Sequence, residues 1–339
     1  MVRLKEIAAA AGVSVMTVSK ALRDKPDLSV ATKARIRTLA EEMGYVPDLS
    51  ASGLRNRTSR LFGLIIPATT DPIYARVQMA IEQNAQELGY DLLFAQSLGK
   101  PEREEAALKR FLARRVDGIF VSPVYRRPGP SHFFTELRRR NLPTVILGHK
   151  APFCEEFANV ETDDVSAAET ATRHLIELGH QRIAFFAGPS ASPWAQERLA
   201  GYRRALRESG LADSDSLIFN AGATVEEGAA AALQFISEQP AATAIQAVND
   251  LVAIGASNTL LNQGLRIPQD LAVVGFGNIL TSEFFRVPLT TVRQPKLRLG
   301  AVAVDLMLNL LRGEPVATRR LAAELIVRTS SGTLRNPVL

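Results

Sequence analysis

Apolar positions change their spacing twice along this 339-residue chain. In the first 46 residues they recur at i, i+3, i+4 and i+7, the spacing of one buried helical face. Leu4, Ile7, Ala8 and Ala11 form one set, Val18, Ala21 and Leu22 a second, and Ile36, Leu39, Ala40 and Met43 a third. Ser14 and Ser29 precede the second and third sets, where a hydroxyl can accept an orphan backbone N–H. Gly12 and Gly44 follow the first and third, where a helix end wants a residue tolerant of positive φ. The pattern predicts three short helices closing on Val13, Val18, Leu22 and Tyr45, the first two joined by a tight glycine turn. Residues 47–60, PDLSASGLRNRTSR, carry no large apolar set and read as a linker. Asp48 could cap a short helix there, but Gly53 inside it costs roughly 1 kcal/mol relative to Ala.

From Leu61 the pattern becomes short apolar runs alternating with amphipathic stretches. Strands are expected at 61–66, 91–95, 117–121 and 143–147, with helices at 72–89, 102–115 and 131–140 between them. The second half repeats the alternation, with helices at 165–178, 195–209, 224–238 and 250–263 and strands at 182–187, 216–219, 244–248 and 271–276. Strands alternating with helices predict βαβ units and parallel, doubly wound sheets, here in two α/β lobes of similar size.

Charge sharpens this division. Residues 1–60 hold 11 Lys and Arg against 6 Asp and Glu, which accounts for the whole net charge of +5. The excess sits on a segment with a core pattern, not on a low-complexity tail. Within it, Met16, Ser19, Lys20 and Arg23 fall on the outer face of the second helix. That surface is either a solvated face or one fitted to a DNA major groove, where Lys can reach guanine and an apolar tip a thymine methyl. Two helices joined by a glycine turn, with a basic outer face on the second, favour the groove.

Other chemistry is thinly represented. The single cysteine, Cys154, excludes an intrachain disulfide and suits a reducing compartment. The four histidines have no metal-ligand spacing, GFGN at 275–278 is a lone glycine pair, and no G-x-S-x-G nucleophile elbow occurs. No apolar stretch reaches the length of a membrane span and the first residues lack a secretory core. The expectation is a cytoplasmic protein that is not an enzyme, with no cofactor and no metal.

The run LKEIAAAAGVSVMTVSKAL, followed by MGYVPDLSASGLR, resembles the DNA-binding headpiece and hinge of the lactose repressor/galactose repressor (LacI/GalR) family of bacterial transcription regulators. The resemblance covers essentially the whole chain. It implies a helix-turn-helix headpiece over 1–46 and a hinge helix and linker over 47–60. Base readout would fall to Val15, Met16 and Lys20, within a DNA-contacting set that adds Ser14, Thr17, Ser19 and Arg23. A hinge-helix leucine, matched by Leu54 and flanked by Ala51 and Arg55, would wedge into the minor groove, the segment ordering only with DNA and a partner subunit. The lobes would be like periplasmic sugar-binding proteins, with 61–161 plus 292–321 in one and 162–291 plus 322–339 in the other. Three crossings are expected near 160–164, 289–294 and 321–324, with the helix at 295–313 returning to the first lobe and the last strand finishing the second. No leucine heptad follows, so a homodimer on a pseudo-palindromic operator is expected.

Open α/β sheets place ligands at strand ends. The candidates there are Ile73, Tyr74, Ser122, Tyr125, His149, Asp163, Trp194, Arg198, Asn249, Asn278 and Gln294. By resemblance, Arg198 and Asn249 match polar clamps on the effector and Asp163 an acidic contact. An arginine, a carboxylate and an amide suit vicinal hydroxyls. The competing readings make Arg198 a surface residue paired with Glu197 or Glu226, Trp194 a core residue, and Asp250 chiefly the N-cap of the helix after it. The chain departs from the family at Gly148 and Gly277, where carboxylates are frequent, and at Ala223, where an aromatic is. Fewer anionic groups around Arg198 rank sugar acids and larger glycosides above simple hexoses. The function so implied is a repressor of carbohydrate-use genes controlled by a sugar or sugar acid. Alternatives are a nucleoside- or purine-responsive regulator of the same fold and a stand-alone sugar-binding protein.

Overall fold

The three N-terminal helices form where periodicity and caps place them: α1 Leu4–Ala11, α2 Val15–Leu22 and α3 Val30–Glu42. Ser14 Oγ accepts from Thr17 N at 3.0 Å and Ser29 Oγ from Thr32 N at 3.2 Å. Gly12 turns the chain between α1 and α2 at φ +67°, a region an L side chain rarely adopts. Ile7, Ala8, Val18, Ala21, Ile36 and Ala40 are the buried core, with Val13, Leu22 and Tyr45 packed on it. The computed structural model describes residues 2–46, 58–126 and 131–332. The chain divides into two units, Met1–Ser59 and Arg60–Leu339. The hinge candidates Ala51, Leu54 and Arg55 lie outside the described residues.

Among the described residues, the second unit holds two six-stranded sheets. The first contains β1 Leu61–Ile66, β2 Asp91–Gln96, β3 Gly118–Val121, β4 Thr144–Leu147, β5 Ala158–Thr162 and β11 Arg319–Leu321, in the order β11-β5-β4-β3-β1-β2. All its pairings are parallel. The helices α4 Pro72–Glu87, α5 Pro101–Ala113, α6 His132–Arg139 and α12 Lys296–Leu311 cover it. The apolar run LFGLII is continuous because both faces are buried. Phe62, Leu64 and Ile66 meet Val77 and Ile81 of α4 and Val304 and Met307 of α12. Ile65 faces the other way, toward Leu108 and Phe111 of α5 and Phe134 of α6.

The second sheet contains β6 Ile183–Ala187, β7 Ile218–Asn220, β8 Ala244–Ala247, β9 Ala272–Gly277, β10 Thr290–Arg293 and β12 Glu324–Ile326, in the order β12-β10-β9-β8-β6-β7. Around it lie α7 Asp164–Glu177, α8 Pro193–Glu208, α9 Val225–Glu238, α10 Asp250–Asn262 and the short α11 Leu280–Phe284. Three differences from the sequence reading are local. The segments read only as crossings are strands: β5 runs to Thr162 and β10 to Arg293, each past the expected lobe change. The turn after β9 holds a helix, α11. Edge strand β12 pairs antiparallel to β10, because only Ala322 and Ala323 separate it from β11 and the chain cannot cross over to run parallel. The chain passes between sheets three times, from β5 to α7, from β10 to α12 and from β11 to β12.

Candidate functional site

The first surface is the outer face of α2. Met16 is 62% exposed and Val15 44% exposed, on a helix whose buried side is Val18 and Ala21. Lys20 is ion-paired with Asp27 in the following loop. Arg23 folds back on its own helix, its Nε donating to the Ser19 carbonyl at 3.1 Å and its guanidinium to the Ser19 hydroxyl. The exposed ion pair of Lys20 and the local hydrogen bonds of Arg23 are both weak in water, so both cations can be exchanged for phosphate or guanine. Ser14 and Thr17 are engaged in the cap, their hydroxyls 2.9 Å apart. The geometry leaves two apolar tips and two weakly held cations on one helical face.

The second is a cleft of about 440 Å³ between the two sheets of the second unit, within the usual range for small-molecule sites. Nine candidates line it: Ile73, Tyr74, Ser122, Tyr125, His149, Trp194, Arg198, Asn249 and Gln294. Asp163 and Asn278 do not. Asp163 caps α7, its Oδ1 accepting from Ser166 N at 3.2 Å, and the carboxylate in the cleft is the next residue, Asp164. Asn278 turns toward Arg328, whose guanidinium donates to its Oδ1 at 2.9 Å.

Arg198 is the centre of the cleft. It is buried, donates to the Val248 carbonyl at 2.7 Å, and lies 3.3 Å from Asp164. Its guanidinium sits 4.8 Å from the Trp194 ring centre and 3.7 Å from that of Phe276, a cation held between two π faces. Its Nε is buried with no hydrogen-bond partner. The surface pairing with Glu197 or Glu226 does not occur, because the start of α8 aims Arg198 inward. Trp194 is half-buried against the second lobe's core while lining the cleft, so both readings of it hold.

The capping role expected of Asp250 belongs to Asn249, whose Oδ1 accepts from Val252 N at 2.8 Å and whose Nδ2 donates to the Ala223 carbonyl at 2.9 Å. Asp250 is buried and accepts from Thr291 Oγ1 at 2.5 Å, Ser282 Oγ at 2.7 Å and Ile279 N at 2.9 Å. Ser122 donates to the Tyr74 hydroxyl at 2.7 Å, and Tyr125 donates to the His149 carbonyl at 2.7 Å. Burial pushes the Tyr74 hydroxyl up to about 12, so it is a neutral hydrogen-bonding group. Gln294 ties two crossings together by donating to Thr162 Oγ1 at 3.2 Å.

These positions correct the charge expectation. Asp71, Glu161, Asp164 and Asp250 all line the cleft, so Gly148 and Gly277 do not leave Arg198 without anionic neighbours. Gly277 has a backbone reason: φ is +138°, and a Cβ would sit 3.3 Å from Ile73 Cδ1. Burial raises Asp71, Asp164 and Asp250 above the ordinary carboxyl range and lowers Arg198, the cost of holding charge away from water. Asp164 was missed because a one-residue error at a helix start exchanges the capping and the inward-facing side chain. Asp71 was missed as an N-cap, which it also is, accepting from Ile73 N at 2.8 Å. Among the described residues no group of His, Cys, Asp and Glu can hold a metal ion, and no helix is long and apolar enough to cross a membrane.

The family description "Bacterial regulatory proteins, lacI family" matches residues 3–48, and "Periplasmic binding protein-like domain" matches residues 172–331. The chain is 32% identical, over 98% of its length and 96% of the relative's, to the HTH-type transcriptional repressor CytR of Escherichia coli K12. The chain belongs to the LacI family of bacterial regulatory proteins. A second relative, the ribose operon repressor of the same organism, is 30% identical over 95% of this chain and 96% of its own. The lac repressor dimer bound to operator and the anti-inducer ONPF superimposes with a TM-score of 0.87 at 26% identity, covering 98% of this chain and 99% of that one. The CelR–cellobiose complex gives 0.74 at 28% identity, covering 97% and 100%. The LacI-family headpiece here is α1 to α3, and the periplasmic-binding-protein-like part is the two-sheet unit. The chain is a DNA-binding transcriptional regulator with an effector-binding fold.

Proposed function

We propose that this regulator is a repressor of carbohydrate- or nucleoside-use genes that acts in the cytoplasm as a homodimer on a pseudo-palindromic operator. Its effector is an uncharged polyhydroxylated compound bound in the cleft between the two sheets. It catalyses no reaction of its own. The observation that carries the effector class is the buried pair of Arg198 with Asp164 at 3.3 Å, flanked by Asp71, Glu161 and Asp250. A guanidinium already facing a carboxylate offers no net positive charge to an acid. Alternating donors and acceptors beside aromatic faces instead suit the hydroxyls and apolar face of a sugar ring. DNA contact is assigned to Val15, Met16 and Lys20 on α2, with Ser14, Thr17, Ser19 and Arg23 beside them.

The test is calorimetry of the full chain with D-ribose, D-glucose, cellobiose, cytidine and adenosine, and with D-gluconate as the acidic arm. An operator selected from random duplexes is then challenged with any compound that binds. Binding of a neutral compound that releases the operator is expected. Binding of gluconate alone would overturn the effector class, and failure of every duplex to be selected would overturn the regulator's assigned mode of action.

A further inference from the structure

Glu197 and Arg198 are neighbours on α8 with different tasks. Arg198 is turned into the cleft. Glu197 reaches to the other lobe: its Oε2 lies 3.0 Å from His149 Nε2, on the segment after β4, and its Oε1 accepts from Arg320 of β11. Arg320 is anchored within its own sheet by Glu161, to which its Nε donates at 2.9 Å, and lies 3.7 Å from Asp163. One carboxylate on the second lobe thus receives two basic side chains from the first. Asp164 approaches His149 from α7 at 3.6 Å. Neither lobe can complete this cluster alone.

We propose that Glu197 is a positioning residue for lobe closure: with His149 and Arg320 it forms a latch across the cleft, tightened by a proton on His149. The proposal rests on the reading of the cleft as an effector site whose occupancy is coupled to the movement of the lobes. The groups facing His149 are Glu197 from α8, Asp164 from α7 with its partner Arg198, Glu161 from β5, and Arg320 from β11 through the shared Glu197. The Tyr125 hydroxyl holds the His149 carbonyl, and Lys150 is its chain neighbour.

Burial alone would lower the imidazole's pKa. The Glu197 hydrogen bond and the charges of Asp164, Glu197 and Glu161 outweigh that and hold it above its ordinary 6.5. Against its own burial, the hydrogen bond and charge of His149, with those of Arg320, hold Glu197 below the ordinary carboxylate value. A histidine raised in the folded state contributes fully below its ordinary pKa, and the contribution fades as pH rises through the raised value. The latch is therefore tight in mild acid and slack above neutrality.

The test uses the full chain without added ligand. Dyes at Lys100→Cys and Glu226→Cys, exposed positions near cleft-lining Gly99 and Ala223 on opposite lobes, report lobe separation by energy transfer. Cys154 is buried, with its thiol pushed up to about 11, and does not compete for dye. Between about pH 5 and about pH 8 the wild-type separation should increase through the histidine range. In Glu197→Gln the lobes should be apart already at the acid end and the pH step lost, and Arg320→Gln should open them at every pH. The His149 proton resonance, identified by its loss in His149→Gln, should titrate above the ordinary value in the wild type and lower than that in Glu197→Gln. A wild-type His149 that titrates at or below the ordinary value would overturn the proposal. So would unchanged separation and pH profile in both Glu197→Gln and Arg320→Gln. Should the compound panel fail, these lobe measurements still read the latch, so the two failures are distinguishable.

Discussion

Replacing Asp164 by Leu should destabilise the α/β unit far more than removing the whole Asp164–Arg198 pair. The side chains are 1% and 7% exposed, so neither charge can recover its hydration in the folded state. With Asp164 gone, Arg198 keeps the Val248 carbonyl at 2.7 Å and the Trp194 and Phe276 faces, but its Nε is already without a partner and its charge loses the nearest counterion. Breaking a buried pair in this way costs about 3–5 kcal/mol. Asp164→Leu with Arg198→Met removes both charges and keeps apolar volume against Phe276. That double variant should match the wild type or exceed it by about 1–4 kcal/mol. The directions agree: burial raises Asp164 and lowers Arg198, so attraction between them does not recover the desolvation cost. Urea unfolding of the full chain, followed by far-ultraviolet circular dichroism, measures all four corners of the cycle. The reasoning is refuted if the two single losses add to give the double. The stable double variant should bind none of the neutral compounds, which would show that the pair is held for recognition at the expense of stability.

Lys20→Ala should lose about 1–3 kcal/mol at the selected operator and less on random DNA, read by fluorescence anisotropy across a salt series; an equal loss on both would mean that Lys20 meets only phosphate. Gly277→Ala should cost about 1–3 kcal/mol in urea unfolding, because φ +138° is strained for any L side chain. Lys296 donates across the lobes to the carbonyls of Gly277 at 2.6 Å and Asn278 at 2.9 Å, and burial lowers its pKa from 10.5 to about 8. The unfolded chain therefore holds more protons between these values, so this lysine should make stability rise with pH over that window. Lys296→Met should flatten the rise in a thermal-unfolding pH series, and an unchanged slope would exclude Lys296 as its source.

The amino-acid sequence alone determined what depends on neighbours within a turn or two. Ser14, Ser29, Gly12 and Gly44 mark helix ends because capping and positive φ are local requirements. The apolar spacing of Leu4 to Ala11 and the two-sided burial of LFGLII specify helix and central strand for the same reason. The basic headpiece and nine of the eleven cleft candidates were legible too, since strand ends in an open α/β sheet face one crevice. Packing in three dimensions settles which side chain points where at a helix start, and which residues meet across the lobes. A step of one residue turns a side chain by roughly 100° on a helix. That separates the cap Asp163 from the cleft carboxylate Asp164, and the cap Asn249 from the buried Asp250. Glu197, His149 and Arg320 lie far apart in the chain, and nothing in their spacing pairs them. Their contact follows from two separately folded sheets brought face to face by three crossings, an arrangement no local rule contains.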